Sequence, residues 1–162
     1  MFTRRLGVDD AADYRALRLR ALQLHPDSFG SSYEEEVGQP LADVSNALGS
    51  HFVVGCVRED QLVGMAGLYR SNSPKSEHRG VVWGMFVAPE GRRTGAGARL
   101  MAAIVDHARP EVEDLTLSVA AHNEPAIALY RRFGFAEYGH DRRALKVGDT
   151  YVDELLMRLA LL

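Results

Sequence analysis

Cysteine is almost missing from this chain of 162 residues. The single thiol, Cys56, excludes an internal disulfide framework. It falls in the strand-like run Phe52 to Val57 with no activating partner in view, which marks it as a packing thiol rather than a nucleophile. Long apolar runs are missing too. No stretch reaches the length that spans a bilayer, and Met1-Phe2-Thr3-Arg4-Arg5 has no apolar signal-peptide core. No membrane partner is expected, and the cytoplasm is the expected location. No long basic cluster occurs, and the net charge of −3 points away from a nucleic-acid partner. The six histidines show no metal-ligand spacing, so no metal is expected. Repeats, linkers and low-complexity segments are absent as well. One domain over residues 1–162 is therefore expected, large enough to bury a substantial core.

What is present concentrates in residues 81–108. Val81 to Val87 is rich in β-branched and aromatic residues and reads as a strand. Pro89 cannot donate to a ladder and ends it. Leu100, Met101, Ile104, Val105 and Ala108 then recur at helical spacing. Between strand and helix lies Arg92-Arg93-Thr94-Gly95-Ala96-Gly97. That order builds an anion site, because the first N–H groups of a helix lack internal partners and the helix dipole favours negative charge there. Gly95 and Gly97 let backbone approach a ligand, and Arg92 and Arg93 add donors that suit phosphate. The stretch is not a P-loop, since Ala98-Arg99 follows the last glycine in place of Lys-Ser/Thr. It is not a dinucleotide fingerprint either, since the third glycine is missing.

The remainder reads as α+β. Residues 2–6 form a short strand. Asp9 or Asp10 caps a helix whose Tyr14, Leu17, Ala21 and Leu24 share a face, with Arg15 and Arg18 off it, and Pro26 stops it. Residues 27–36 begin as loop and become strongly acidic at Glu34-Glu35-Glu36. A short helix is expected at 40–48, with Pro40 in its first turn, Leu41, Val44 and Leu48 as its stripe, and Gly49 at its end. Residues 51–58 and 62–70 form a hairpin, 71–79 a polar loop, and 80–88 a strand antiparallel to the one before it. The strand at 115–120 follows by a right-handed parallel crossover. Asn123 caps the next helix, which carries Pro125, Ile127, Tyr130 and Phe133 and ends at Gly134. Strands near 135–140 and 150–160 complete a mixed sheet, the last with both faces buried. Trp83 is expected in the core.

Val87, Pro89, Arg92, Gly95 and Gly97 fill the specified positions of Val-x-Pro-x-x-(Arg/Gln)-x-x-Gly-x-(Gly/Ala). The stretch thereby resembles the acyl-CoA pyrophosphate loop of the GNAT superfamily of N-acetyltransferases. Residues 123–135 resemble the family's second segment, Asn-x-x-Ala-x-x-Leu-Tyr-x-x-x-Gly-Phe. Taken singly, Asn123 reads as a helix cap, Tyr130 as a core aromatic and Gly134 as a C-terminal cap. The pairing of the two motifs favours function.

The resemblance implies a layered α/β/α arrangement, the GNAT acyl-CoA N-acyltransferase fold. Its central sheet is mixed and mostly antiparallel, of six to seven strands with a parallel splayed pair, and carries about four helices. The resemblance implies acetyl-CoA as co-substrate. Its pantetheine arm would pair with backbone at Phe86 and Val87 and touch Asn123. The amides of Arg92, Arg93, Thr94, Gly95, Ala96, Gly97 and Ala98 would wrap the pyrophosphate. Tyr130 would stand at the sulfur as general acid. The implied reaction is direct attack by a primary amine. A small amine or polyamine is the expected acceptor, with a protein or peptide N-acetyltransferase and a non-catalytic acyl-CoA sensor as alternatives. Tyr33, Glu34 and Glu35 are candidates for holding a cationic acceptor, since in the family the loop between the first two helices borders it. Some members carry a glutamate base on the strand matching 80–88, and this chain has none there. Glu34, Glu35, Glu36, His78 and His122 are the remaining candidates, with a water relay as the alternative. Many members are dimers, and a homodimer is compatible with the sequence.

Overall fold

The computed structural model describes residues 1–162. Its sheet starts with hairpins. β1 (Phe2–Arg5) runs antiparallel to β2 (Phe52–Arg58), and β2 to β3 (Gln61–Arg70). Glu59 and Asp60, both at positive φ, make the two-residue turn that matches the twist of its flanking strands. β3 pairs antiparallel with β4 (Arg79–Val87). β5 (Asp114–Ala120) lies parallel to β4, but only from Arg79↔Asp114 to Val81↔Thr116. β7 (Thr150–Ala160) runs antiparallel to β5 and β6 (Ala136–Val147) to β7, giving the seven-stranded order β1-β2-β3-β4-β5-β7-β6.

Beyond Val81, β4 and β5 part. The cause is local. Met65 opposes Phe86 and Gly67 opposes Trp83, so Gly84 and Met85 stand opposite the single Ala66. Gly84 has φ +63, the left-handed geometry that lets such a bulge form and bend its strand. The gap between the parallel strands is thus written at one glycine.

Alternation along the strands sends side chains to two cores. Tyr14, Leu17 and Ala21 of α1 (Ala11–Leu24) and Val44 and Leu48 of α3 (Leu41–Ser50) pack with Val53, Met65 and Phe86 on one face. Leu100, Met101, Ile104 and Val105 of α4 (Ala96–Ala108) and Ile127 and Tyr130 of α5 (Glu124–Arg132) pack with Val54, Ala66 and Val82 on the other. This is the layered α/β/α arrangement the family resemblance implies. Cys56 is fully buried and unpaired.

Several local expectations change. A further short helix, α2 (Tyr33–Glu36), stands in the acidic segment, so the α-helices number five rather than about four. Ser32 and Glu35 form a capping box there, each side chain bonding the other's backbone N–H. Asp10 does not cap α1 with its side chain. Its carboxylate accepts from the Gly7 amide and from Arg4, closing a 3₁₀ turn (Val8–Asp10) ahead of the helix. Leu24 and Leu41 are exposed because each lies at a helix end, beyond reach of the core. α3 runs through Gly49 to Ser50. β6 extends to Val147, and β7 buries only Val152 and Met157, since its outer neighbour β6 is a largely exposed edge.

Candidate active site

The gap between β4 and β5 opens into a cavity of about 530 Å³. Its walls are residues 82–87 of β4 and 117–120 of β5, with α5 along one side. Past Val81 the β4 edge has no strand partner on its β5 side, so an extended ligand can pair with it. Phe86 and Val87 line the cavity, as do Arg92, Gly97, Asn123 and Tyr130. Trp83 was expected in the core. It packs against that core half-buried, with its ring over Gly67, and also lines the cavity.

At one end stands the turn before α4. Arg93 and Gly95 both have positive φ, at +61 and +85. The Thr94 hydroxyl donates to the Gly91 carbonyl at 2.5 Å and holds the turn closed. None of the amides from Arg93 to Ala98 donates within the protein, and the first helical bond runs from Arg99 N–H to Gly95 C=O at 3.0 Å. Successive free amides at a helix start form a concave anion nest. A diphosphate fits this donor set, with the Arg92 guanidinium at the cavity edge. The two glycines serve different needs. A Cβ at Gly95 would meet nothing within 4 Å, so the requirement there is φ. A Cβ at Gly97 would press on Leu129 Cδ2 at 3.1 Å, so the requirement there is close approach of α4 and α5. Arg93, Thr94, Gly95, Ala96 and Ala98 shape or extend the nest without lining the cavity itself.

Tyr130 of α5 lines the same cavity. Burial pushes its phenol up to about 12, and its hydroxyl has no hydrogen-bond partner in the protein. Such a group stays protonated and free to donate. Asn123 Oδ1 accepts from the Ala126 amide at 3.3 Å, so it caps α5 while lining the cavity.

The segment after α1 also borders the cavity. His25 and Asp27 line it, together with His122 from the turn after β5. His122 Nε2 lies 2.7 Å from Asp27 Oδ2, and Arg92 Nη2 lies 3.0 Å from His25 Nε2. Nothing local in the sequence marks His25 or Asp27, whose positions depend on how α1 crosses the sheet. Tyr33, Glu34 and Glu35 do not reach this cavity. They line a second groove with residues 144–148 of the β6–β7 hairpin, and Phe29 borders both spaces. Glu35 is held in its capping box, whose Ser32 backbone and hydroxyl bonds keep its carboxyl below the ordinary range. Glu36 accepts from Arg18 at 3.1 and 3.0 Å. Burial opposes its charge, but bonds from Arg18 and Ser31 outweigh that and leave its carboxyl lowered. Arg18, expected off the apolar face, is instead a largely buried cation behind Gly84 and over the Phe29 ring. His78 lies in the 71–78 loop, its carbonyl accepting from Glu113.

A family model described as the acetyltransferase (GNAT) family matches residues 18–135. The N-alpha-acetyltransferase RimI of Mycobacterium tuberculosis is 37% identical over 105 residues, which are 63% of this chain and 63% of that protein. The chain spans 39% to 63% of the length of the first curated relatives it matches. Among solved structures, a GNAT-family acetyltransferase from Streptococcus pneumoniae superposes with a TM-score of 0.87 over 98% of both chains, at 18% identity. A putative acetyltransferase from Salmonella typhimurium, yncA, determined with acetyl-CoA, superposes at 0.82 over 99% of this chain and 94% of that one, at 18% identity. These two likenesses concern the fold.

Proposed function

Because the chain belongs to the GNAT family of acetyltransferases, we propose that it moves an acetyl group from acetyl-CoA to a primary amine. The observation that carries this reading is the row of free amides from Arg93 to Ala98, beside a cavity lined by Gly97 and by Tyr130, whose hydroxyl has no partner in the protein. Acetyl-CoA would supply an activated acetyl group as a thioester. The nest and Arg92 would hold its diphosphate. The free β4 edge at Phe86 and Val87 would pair with its pantetheine arm, with Asn123 alongside, and a backbone N–H there would stabilise the oxyanion. Tyr130 would donate its proton to the departing sulfur. No covalent enzyme intermediate is needed, in keeping with a fully buried Cys56.

A small amine or polyamine is the favoured acceptor. A peptide is the second reading. The groove carrying Tyr33, Glu34 and Glu35 meets the cavity at Phe29 and could hold a cationic chain beyond the reacting amine. The similarity to RimI also favours it. The proposal includes a cytoplasmic location, one domain over residues 1–162 and, by family habit, a homodimer. Calorimetry with acetyl-CoA, followed by thiol release on an amine and peptide panel, tests it. Micromolar binding with turnover on one acceptor class is expected. Binding without turnover on any amine would turn the reading into an acyl-CoA sensor, and absence of binding would end it.

A further inference from the structure

Removing a proton from the acceptor is the chemical demand left unmet, since an alkyl ammonium has a pKa of about 10.4. β4 carries no carboxylate between Val81 and Val87, and Glu36 is tied to Arg18. Around the cavity, the groups that titrate are His25, Asp27, His122 and Tyr130, with Arg92 as the fixed cation. The His25 Nε2 atom faces the Arg92 guanidinium, which has only donors, so that lone pair is already occupied.

We propose that His122 is the general base of the acetyl transfer and that Asp27 is its positioning residue. This rests on the acetyltransferase reading above. The Asp27 carboxylate lies 2.7 Å from His122 Nε2, an ion-pair contact in which it faces the charge that an imidazolium would carry. A carboxylate beside an imidazole that takes a proton also recurs in hydrolase triads. The two residues come from separate elements. Asp27 lies in the 3₁₀ turn Pro26–Ser28 after α1, and His122 in the turn between β5 and α5, one residue before Asn123. His122 is one of the candidates the sequence offers, but its pairing with Asp27 is assembled by the fold and invisible to any local motif. The His122 side chain is 61% exposed, so it returns its proton to water between turnovers. Of the charged groups nearby, Glu124 follows it by two residues, and Arg92 is engaged with His25.

The proton balance closes. His122 takes one proton from the ammonium and passes it to solvent. The neutral nitrogen forms its bond to the acetyl carbon, and the carbon–sulfur bond breaks with its electron pair leaving on sulfur. Tyr130 gives its phenolic proton to that sulfur, and the second proton shed by the nitrogen restores the phenol through solvent. The net products are an amide, a thiol and one proton.

The test compares wild type with H122Q and D27N on spermidine, an alanine-initiated peptide and a lysine peptide, and on hydrazide counterparts that are already neutral at pH 7. H122Q should lose about 100-fold in kcat/KM on the amine that wild type uses best, and the inflexion in its pH profile should vanish. Its rate on the hydrazide should fall less than about threefold, as should its acetyl-CoA affinity by calorimetry. D27N should keep the inflexion, displaced, with a smaller loss. H140Q breaks the other His–Asp contact, on the β6–β7 hairpin outside the cavity lining, and should behave as wild type. An unchanged pH profile in H122Q, or an equal loss on amine and hydrazide, overturns the role of His122 while leaving acetyl transfer intact. Absence of wild-type turnover on every amine overturns the acetyltransferase reading and this inference with it.

Discussion

At the scale of the residue, Tyr130 combines two properties that sequence alone leaves in competition. It is a core aromatic, tilted against Phe135 at 5.9 Å, and it also lines the cavity with a hydroxyl that has no partner in the protein. Burial favours the protonated phenol, and at about 12 the group stays an acid through any ordinary assay. Tyr130→Phe should therefore lower turnover by about 100-fold while acetyl-CoA affinity changes by less than about threefold. Steady-state rates and calorimetry on the same preparation check this, and unchanged turnover would remove Tyr130 from the acid role. The wild-type rate should also show no decline attributable to loss of this proton up to about pH 10, because the raised phenol keeps it. Asn123 is a similar double case, since its side-chain oxygen caps α5 from inside the cavity wall. Cap and site are the same atoms.

At the scale of the element, the start of α4 depends on φ as much as on space. Gly95→Ala adds a methyl that meets nothing within 4 Å, so the substitution isolates the backbone cost of φ +85. That cost is about 1–2 kcal/mol, and it is relieved only by turning the peptide and disordering the nest. The expected result is a melting point lower by several degrees and acetyl-CoA bound at least about tenfold more weakly. Wild-type affinity in this variant would remove the Gly95 turn from the diphosphate site. This segment was legible in the sequence, because a strand, a glycine turn and a helix lie within one continuous stretch. α2 was not. Its four residues are all polar or aromatic and carry no apolar stripe, so only the Ser32–Glu35 box marks it. The pairing of Asp27 with His122 was equally hidden, since they lie 95 positions apart and only the fold brings them together.

At the scale of the molecule, the sheet is pinned at one end and open at the other. Strand positions, the central hairpins and the parallel step followed from hydrophobic runs and turn residues, but the insertion of β7 between β5 and β6 and the offset of the open end from the closed end needed three dimensions. The pin is Asp114, whose side chain is 5% exposed at the start of β5. Its carboxylate accepts from Arg79 of β4 at 3.1 Å and from Arg158 of β7 at 2.8 Å. Three neighbouring strands are thus tied just where β4 and β5 still pair, opposite the cavity. Burial alone would raise the carboxyl, but the two arginine bonds outweigh it and leave Asp114 lowered. A carboxyl lowered on folding stabilises the folded chain above its unfolded pKa of about 3.9, and that contribution fades as pH falls through the folded value. Asp114→Asn keeps the shape and removes the charge, so it should cost about 1.5–3 kcal/mol near neutral pH, the range for hydrogen bonds to charged groups. Both arginines are half exposed and regain water when released, which keeps the loss from growing larger. Melting curves of both proteins should lie furthest apart near pH 6 and converge as pH falls below about 4, where the wild type protonates the same group. A gap that is constant from pH 6 to pH 3 would show that packing rather than charge holds the closed end together.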